Sequence, residues 1–177
     1  MEEQNGALVV LLRAIQNEIA GQRFYDDAAR YCIDPWAKEL LSTLAQDEEA
    51  HAQLLLGQHA ALRSGVGWLD LEQAMARGAA ADLGRLTFPA EEPSTTLFPS
   101  GWTPDQALER GADDLSALAV GIEIEKMAIA LYQRESDAAR DPGAQEAYGF
   151  LVQEERRHYR LLTTSWERLS GTSWEEG

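Results

Sequence analysis

The chain has 177 residues, of which 45% are hydrophobic, and its 30 acidic and 15 basic residues give a formal net charge of −15. This length and composition suit one soluble domain spanning residues 1–177, and the acidic excess argues against binding to nucleic-acid phosphates. The single cysteine, Cys32, excludes intrachain disulfides and metal sites built from several thiolates. Glu2 and Glu3 stand where a signal segment would be basic, and the apolar runs are too short for a bilayer. We therefore expect a cytoplasmic protein with no membrane partner.

Four long helices are predicted from apolar residues that recur at spacings of three and four. Asp34-Pro35 and Asp141-Pro142 each combine an N-cap residue with a proline at the first helical position, so each starts a helix directly after the preceding one. Such short connections make each pair of helices antiparallel. The predicted helices cover residues from about 6 to 30, from 35 to 63, from 114 to 140, and from 142 onward.

Residues 66–112 are predicted to form a crossover connection between the two helix pairs. The segment is rich in proline and contains two related stretches, 72–79 and 105–112, which each resemble a brief helix stopped by glycine. The second is opened by a capping box at Thr103 and Gln106. A connection of this length lets the second and third long helices run parallel. The predicted fold is an all-α, ferritin-like four-helix bundle.

The two helix pairs are copies of one another at an offset of 107 residues. Shifting the sequence by this amount without a gap superimposes the inner-face glutamates, histidines and tyrosines of the two helix pairs. Glu48-x-x-His51 falls on Glu155-x-x-His158, Glu18 on Glu125, Tyr25 on Tyr132, and Asp34-Pro35 on Asp141-Pro142.

Four glutamates and two histidines on inner helix faces predict a two-metal carboxylate site. The glutamates Glu48 and Glu155 are expected to bridge two ions about 3.5–4 Å apart. Glu18 and Glu125 are expected to be the terminal glutamates, one for each ion. His51 and His158 are expected to complete the two ions, with one histidine each. The four carboxylates would balance two divalent ions. The competing interpretation is a polar core satisfied by its own hydrogen bonds.

The positions of several other residues are also predicted. His59 has no counterpart in the repeat and is expected at the surface, and Leu161 is expected to point inward. Tyr25 and Tyr132 are either core aromatics or hydrogen-bond donors to the carboxylates. The acidic neighbours of the inner stripe are expected to face water: Asp47, Glu49, Glu123 and Glu154.

The set Glu18…Tyr25, Glu48-x-x-His51, Glu125…Tyr132 and Glu155-x-x-His158 resembles the rubrerythrin branch of the ferritin-like di-iron proteins. The resemblance covers the four long helices. It implies a non-haem centre of two Fe ions, with Mn or Zn as substitutes, in which the same six glutamates and histidines are catalytic. It also implies a homodimer that reacts with peroxide or dioxygen. These 177 residues contain no Cys-x-x-Cys pair of the kind found in a rubredoxin-like domain. Electrons are therefore expected from a separate donor such as a rubredoxin or a flavoprotein.

Two alternatives to a peroxidase remain open. Rubrerythrins have a further carboxylate on the third helix, whereas Gly121, Ile122, Ala128 and Ile129 stand one turn from Glu125. This difference favours a dioxygen-dependent ferroxidase or iron-handling protein. The second alternative is a bundle that holds metal without catalysis, for stability, storage or interaction. Gly21 and Gly121 either leave room for a small oxidant or allow close helix packing.

Overall fold

A computed structural model of the chain describes residues 2–81, 83, 86–88 and 113–174. Within these residues the regular elements are all helices, so the predicted all-α bundle is confirmed. The predicted bounds agree with the observed ones to within about one helical turn. The helices are α1 Glu2–Tyr31, α2 Pro35–Arg63, α3 Leu71–Ala79, α4 Asp114–Ala138 and α5 Pro142–Ser170.

The four long helices form two hairpins, in which α1 packs along α2 and α4 packs along α5. Both predicted N-caps are present. The Asp34 side chain accepts a hydrogen bond from the backbone N–H of Ala37, and Asp141 accepts one from Gly143. Each cap satisfies a backbone donor that the first helical turn leaves free.

The ends of the two hairpins are joined by contacts around Asp34. The Asp114 carboxylate, at the start of α4, accepts hydrogen bonds from the backbone N–H groups of Ile33 at 2.9 Å and Asp34 at 2.6 Å. Arg168, near the end of α5, forms an ion pair with the Asp34 side chain. Helices α2 and α4 therefore begin at the same end of the bundle, where α5 ends.

The space between the long helices is filled by an apolar core. Trp166 and Trp174 pack edge to face at a ring-centroid distance of 5.0 Å, and Cys32 is buried. Leu161 was predicted to point inward, but 39% of it is exposed, so that prediction is wrong. The fully buried core residues include Leu11, Ile15, Leu41, Leu44, Leu55, Leu118, Ile122 and Leu151.

The short helix α3 confirms the predicted helix at 72–79 and packs closely on α2. The side-chain amide of Gln58 donates a hydrogen bond to the backbone oxygen of Leu69 at 2.8 Å and accepts one from the Leu69 N–H at 2.9 Å, which holds the segment that leads into α3. His59 is only 5% exposed, so its predicted surface position is wrong. It lies within residues 53–60 of α2, the stretch that α3 covers. The second predicted short helix, 105–112, and its capping box lie outside the described residues.

In the described part of the chain, none of the helices combines the length and the apolar character that crossing a bilayer requires.

Candidate metal centre

The structure brings all six predicted ligand residues together in the centre of the bundle. Each long helix contributes one glutamate, and α2 and α5 each add a histidine one turn further along, because residues at i and i+3 share a helix face. All six are at most 5% exposed. They are Glu18 on α1, Glu48 and His51 on α2, Glu125 on α4, and Glu155 and His158 on α5.

The ligand atoms fall into two four-residue sets, within each of which one ligand atom per residue lies within 4.8 Å of the others. Glu48 and Glu155 belong to both sets. Glu18 and His51 complete the first set, while Glu125 and His158 complete the second. Buried clusters of this composition are able to hold a metal ion.

Each histidine presents Nδ1 to the carboxylates of its own set. His51 Nδ1 lies 3.2 Å from a Glu18 oxygen and 3.1 Å from a Glu155 oxygen. His158 Nδ1 lies 3.1 Å from Glu155 and 3.4 Å from Glu48. The two imidazole rings stack with their centroids 5.4 Å apart. Both rings therefore point the same kind of nitrogen atom at the centre.

Several of these buried polar atoms have no hydrogen-bond partner among the described residues: both carboxylate oxygens of Glu155 and Nδ1 of His158. Nδ1 of His158 and the Glu155 carboxylate lie 3.1 Å apart without making a hydrogen bond of good geometry. Buried groups of this kind are costly, because they have lost their contacts with water. A cation between the carboxylates and the imidazole nitrogens would satisfy all of these atoms at once. The donor set of oxygen and imidazole nitrogen thus fits a borderline or hard divalent metal ion.

The terminal glutamates favour the protonated form. Burial, followed by repulsion from Glu48, raises the pKa of Glu18 to about 8. Burial and the nearby Glu155 raise the pKa of Glu125 well above its usual range. Both effects disfavour the charged form of a carboxyl group. In the absence of a metal, Glu18 would hold its proton at neutral pH, and the pKa of Glu125 is shifted in the same direction.

The shared glutamates favour the ionised form. Burial opposes ionisation, but hydrogen bonds from Glu18 and from both histidines hold the pKa of Glu48 below its usual range. The pKa of Glu155 is likewise lowered, against the effect of burial, by attraction to His51. Burial alone would lower the pKa of His158, yet Glu125, Glu155 and Glu48 raise it to about 12. Without metal, protons on the histidines balance the two shared carboxylates.

Two tyrosines, one from each helix hairpin, hold the terminal glutamates across the bundle. The hydroxyl of Tyr25 on α1 donates a hydrogen bond to Glu125 on α4. The hydroxyl of Tyr132 on α4 donates one to Glu18 on α1. Both tyrosines are fully buried. Of the two interpretations left open by the sequence, the structure therefore favours hydrogen-bond donors to the carboxylates.

Asp47, predicted to face water, is instead half-buried beside the centre. One of its oxygens lies 3.3 Å from Nε2 of His158. With Nε2 protonated and facing Asp47, the lone pair of Nδ1 would be directed toward the glutamates, which is the tautomer that a metal ligand requires. Arg157 Nη2, 3.3 Å from the same Nε2, then bonds Asp47 rather than the ring. Sequence reasoning missed this role, although Asp47 directly precedes a predicted ligand.

Glu154, the counterpart of Asp47 in the repeat, is also half-buried rather than solvated. It forms a third possible cluster with His51 and His158. Arg157 connects the two acidic residues, because its Nη2 lies 2.8 Å from Asp47 and 2.9 Å from Glu154. The 107-residue offset pairs Asp47 with Glu154 and was the signal that could have identified them. The predictions for Glu49 and Glu123 are confirmed, since both are exposed.

The two glycines near the terminal glutamates lie in packed surroundings. A Cβ atom at Gly121 would lie 3.2 Å from side-chain atoms of Leu162 and Tyr25. At Gly21 it would lie 3.5 Å from the Glu48 carboxylate. Close helix packing therefore accounts for Gly121. At Gly21 an added Cβ atom would be in ordinary van der Waals contact with the Glu48 carboxylate, so packing does not require a glycine there.

Comparisons with known proteins address the fold alone. No family model matches the sequence, and no curated protein matches it significantly. A hypothetical protein from Pyrococcus furiosus has a solved structure that matches with a TM-score of 0.61 and 19% sequence identity. The match covers 96% of this chain and 93% of that chain. The likeness therefore extends over nearly the full length of both chains.

Proposed function

We propose that this chain is a ferritin-like, rubrerythrin-related di-iron protein that reduces hydrogen peroxide with electrons from an external donor. The observation that carries the proposal is the pair of matched ligand sets that share Glu48 and Glu155. Two ions held by shared carboxylates are the arrangement found in di-iron carboxylate bundles. Iron at this centre would supply the two electrons that split peroxide into water. Mn or Zn would fit the same ligands, but Zn²⁺ has no redox chemistry and would not support this reaction.

The protein's own part in this reaction is to hold the ligands in place and exclude water. Glu48 and Glu155 would span the two ions, and Glu18 and Glu125 would each occupy one outer position. The Tyr25 and Tyr132 hydroxyls fix the orientation of those outer carboxylates. All six ligand residues are buried, and the low dielectric constant there strengthens the electrostatic attraction between the carboxylates and the ions.

The reaction consumes two electrons and two protons for each peroxide. A separate donor, such as a rubredoxin or a flavoprotein, would return the electrons after each turnover. The protein is proposed to work as a homodimer in the cytoplasm. Iron storage would instead require a large hollow oligomer. A dimer-sized particle that holds no more than two irons per chain would eliminate iron storage.

Dioxygen-driven ferroxidase chemistry is the second candidate, and one observation favours it. The two ligand sets take a single carboxylate, Glu125, from α4, and the residues around it on that helix are the apolar Gly121, Ile122 and Ala128. Among the described residues, α4 therefore contributes no carboxylate other than Glu125 to the two ligand sets.

Rapid mixing separates the two candidates. The anaerobic di-ferrous protein is mixed with peroxide or with dioxygen at equal concentration, and oxidation is followed by absorbance. We expect faster oxidation by peroxide. Much faster oxidation by dioxygen would replace the peroxidase with the ferroxidase, and no reaction with either oxidant would leave a metal-binding bundle without catalysis. Glu48→Ala is the control, because loss of a shared ligand should abolish the fast phase.

A further inference from the structure

A cavity of about 400 Å³ lies beside His51, between α2, α3 and α5. It adjoins the candidate metal centre through the His51 ring, whose contacts with the glutamates are made through Nδ1. Its volume is within the range of small-molecule binding sites, about 300–1,000 Å³. The walls are largely apolar and are formed by Ala50, Leu54, Leu71, Met75 and Phe150.

One wall of the cavity is α3, which packs closely on α2. A Cβ atom at Gly57 would lie 1.8 Å from the backbone oxygen of Ala74, and one at Gly78 would lie 1.7 Å from that of Gln53. The backbones are therefore in direct contact at two points. The cavity is formed before any ligand arrives, so little free energy is lost in ordering it.

The repeat shows that the cavity belongs to one side of the centre. The residue equivalent to Ala50 in the second helix pair is Arg157. The Arg157 guanidinium lies beside His158, with Nη2 3.3 Å from Nε2 of that ring, and it bonds Asp47 and Glu154. The long side chain of Arg157 thus fills the position beside His158. The equivalent position beside His51 carries the short side chain of Ala50, which leaves space for the cavity.

The charges at the cavity select the kind of ligand that fits it. Three carboxylates, Asp47, Glu72 and Glu154, line the cavity. Arg157 bonds two of them, and the three carboxylates exceed the positive charges of Arg157 and of a protonated His51, so an excess of negative charge remains. A carboxylate or phosphate would be repelled there, whereas a positively charged group would be attracted. Phe150 and Met75 add an aromatic ring and a thioether, which also suit a cation on an apolar body.

We propose that this cavity binds a small organic molecule that carries a protonated amine on an apolar body. The apolar body packs against Leu54, Met75 and Phe150, and the ammonium group faces the carboxylates at the cavity wall. This binding site goes beyond the peroxide chemistry proposed above and does not depend on it, because its walls include His51 but none of the glutamates of the two ligand sets.

The test uses 2-phenylethylamine as the probe and phenylacetate as an anion of the same shape. Binding to the full chain is followed by amide NMR shifts, with and without metal. We expect saturable binding of the amine that shifts residues of α3 and the facing parts of α2 and α5. We expect phenylacetate to bind at least about tenfold more weakly. Absence of saturable amine binding, or equal binding of the two probes, would overturn the proposal.

Two variants locate the binding. Ala50→Leu fills the cavity and should weaken amine binding at least about tenfold, while Ala130→Leu, an exposed alanine on α4, is the matched control and should bind as the wild type. Gly78→Ala should also weaken binding, because its new Cβ must push α3 away from α2. Wild-type affinity in Ala50→Leu or Gly78→Ala would place the amine elsewhere and refute the assignment.

Discussion

The hydroxyl of Tyr25 on α1 donates a hydrogen bond to Glu125 on α4, and Tyr132 on α4 makes the corresponding contact with Glu18 on α1. Each helix hairpin therefore orients a carboxylate of the other. Since both tyrosines are fully buried, neither water nor an alternative side chain replaces these donors readily. The geometry of the centre depends on the two hairpins being correctly packed together.

Removing one of these donors should weaken metal binding. Tyr25→Phe keeps the ring in the core but deletes the hydroxyl, so the outer carboxylate of Glu125 loses its orientation. We expect a 10–100-fold loss of affinity for Fe²⁺ or Co²⁺, of the size usual for groups that orient metal ligands. Titration with Co²⁺, followed by its absorption bands, measures the loss. Tyr148→Phe is the control, because Tyr148 is also buried but lies outside the ligand sets.

The carboxylate of Asp47 should act on the second ligand set through His158. Asp47→Asn retains the size of the side chain but weakens the acceptor for Nε2–H, so that the His158 tautomer required for binding is no longer favoured. We expect metal affinity to fall about tenfold or more. Glu49→Gln, an exposed neutralisation on the same helix, should leave affinity unchanged. Equal effects of the two variants would point to net charge rather than to the orientation of His158.

The shared and unshared glutamates should differ in metal stoichiometry. Glu48 belongs to both ligand sets, whereas Glu18 belongs to one. We expect Glu48→Ala to lose both ions and Glu18→Ala to retain up to one. Metal analysis of the variants after expression with iron gives the counts. Unchanged stoichiometry in both Glu48→Ala and Glu155→Ala would rule out a metal centre at these residues.

The bundle and its buried polar set were predictable because both follow from local periodicity. Glu18 and Glu125 stand at apolar positions of their helices, and Glu48 and His51 are one turn apart, so helical geometry alone places them inward. The errors arise where a neighbouring element changes the exposure. Leu54 and Leu161 are equivalent in the repeat, yet Leu54 is 1% exposed and Leu161 39%. Leu54 lines the cavity under α3, and the described part of the chain packs no such short helix on α5.

Asp47 illustrates a second limit of sequence reasoning. Its neighbours in sequence predict a solvent-facing position on α2, but its partners, His158 and Arg157, lie more than 100 residues away on α5. Helical periodicity describes one helix at a time and contains no information about which side chains meet across two helices. The 107-residue repeat pairs Asp47 with Glu154, but the contact of Asp47 with α5 follows only from the relative placement of α2 and α5.

Close packing of α3 on α2 gives a prediction for stability. Gly57→Ala would place a Cβ atom 1.8 Å from the Ala74 carbonyl oxygen, so the backbones must separate. We expect the free energy of unfolding to fall by about 1–3 kcal/mol. The control is Gly149→Ala in α5, where the nearest atom to the new Cβ is Ser136 Oγ at 3.9 Å. That change should stabilise the protein by about 0.5–1 kcal/mol, because alanine is the better helix former. Urea unfolding followed by circular dichroism compares the two.

The metal-free protein should become less stable as the pH rises through neutrality. The pKa of Glu18 is about 8 in the folded chain against an ordinary value of 4.5. A raised pKa means that the folded state binds the proton more tightly than the unfolded state does. Its contribution to stability is therefore complete below pH 4.5 and is lost as the pH rises to about 8. The pKa values of Glu48 and Glu155 are lowered, so their contributions are lost at acid pH, below this window.

Metal binding should reverse this dependence, because metal ions displace the protons held by the glutamates and histidines. Binding of two ions should release protons from these groups, and affinity should increase with pH. We expect the Tm of the metal-free protein to fall between about pH 5 and pH 8, and the gain in Tm on adding metal to grow over the same range. Glu18→Gln, which cannot lose a proton, should make the fall in the metal-free protein smaller, while the part due to Glu125 remains. A Tm that rises with pH in the metal-free wild type would contradict the proposed protonation of Glu18.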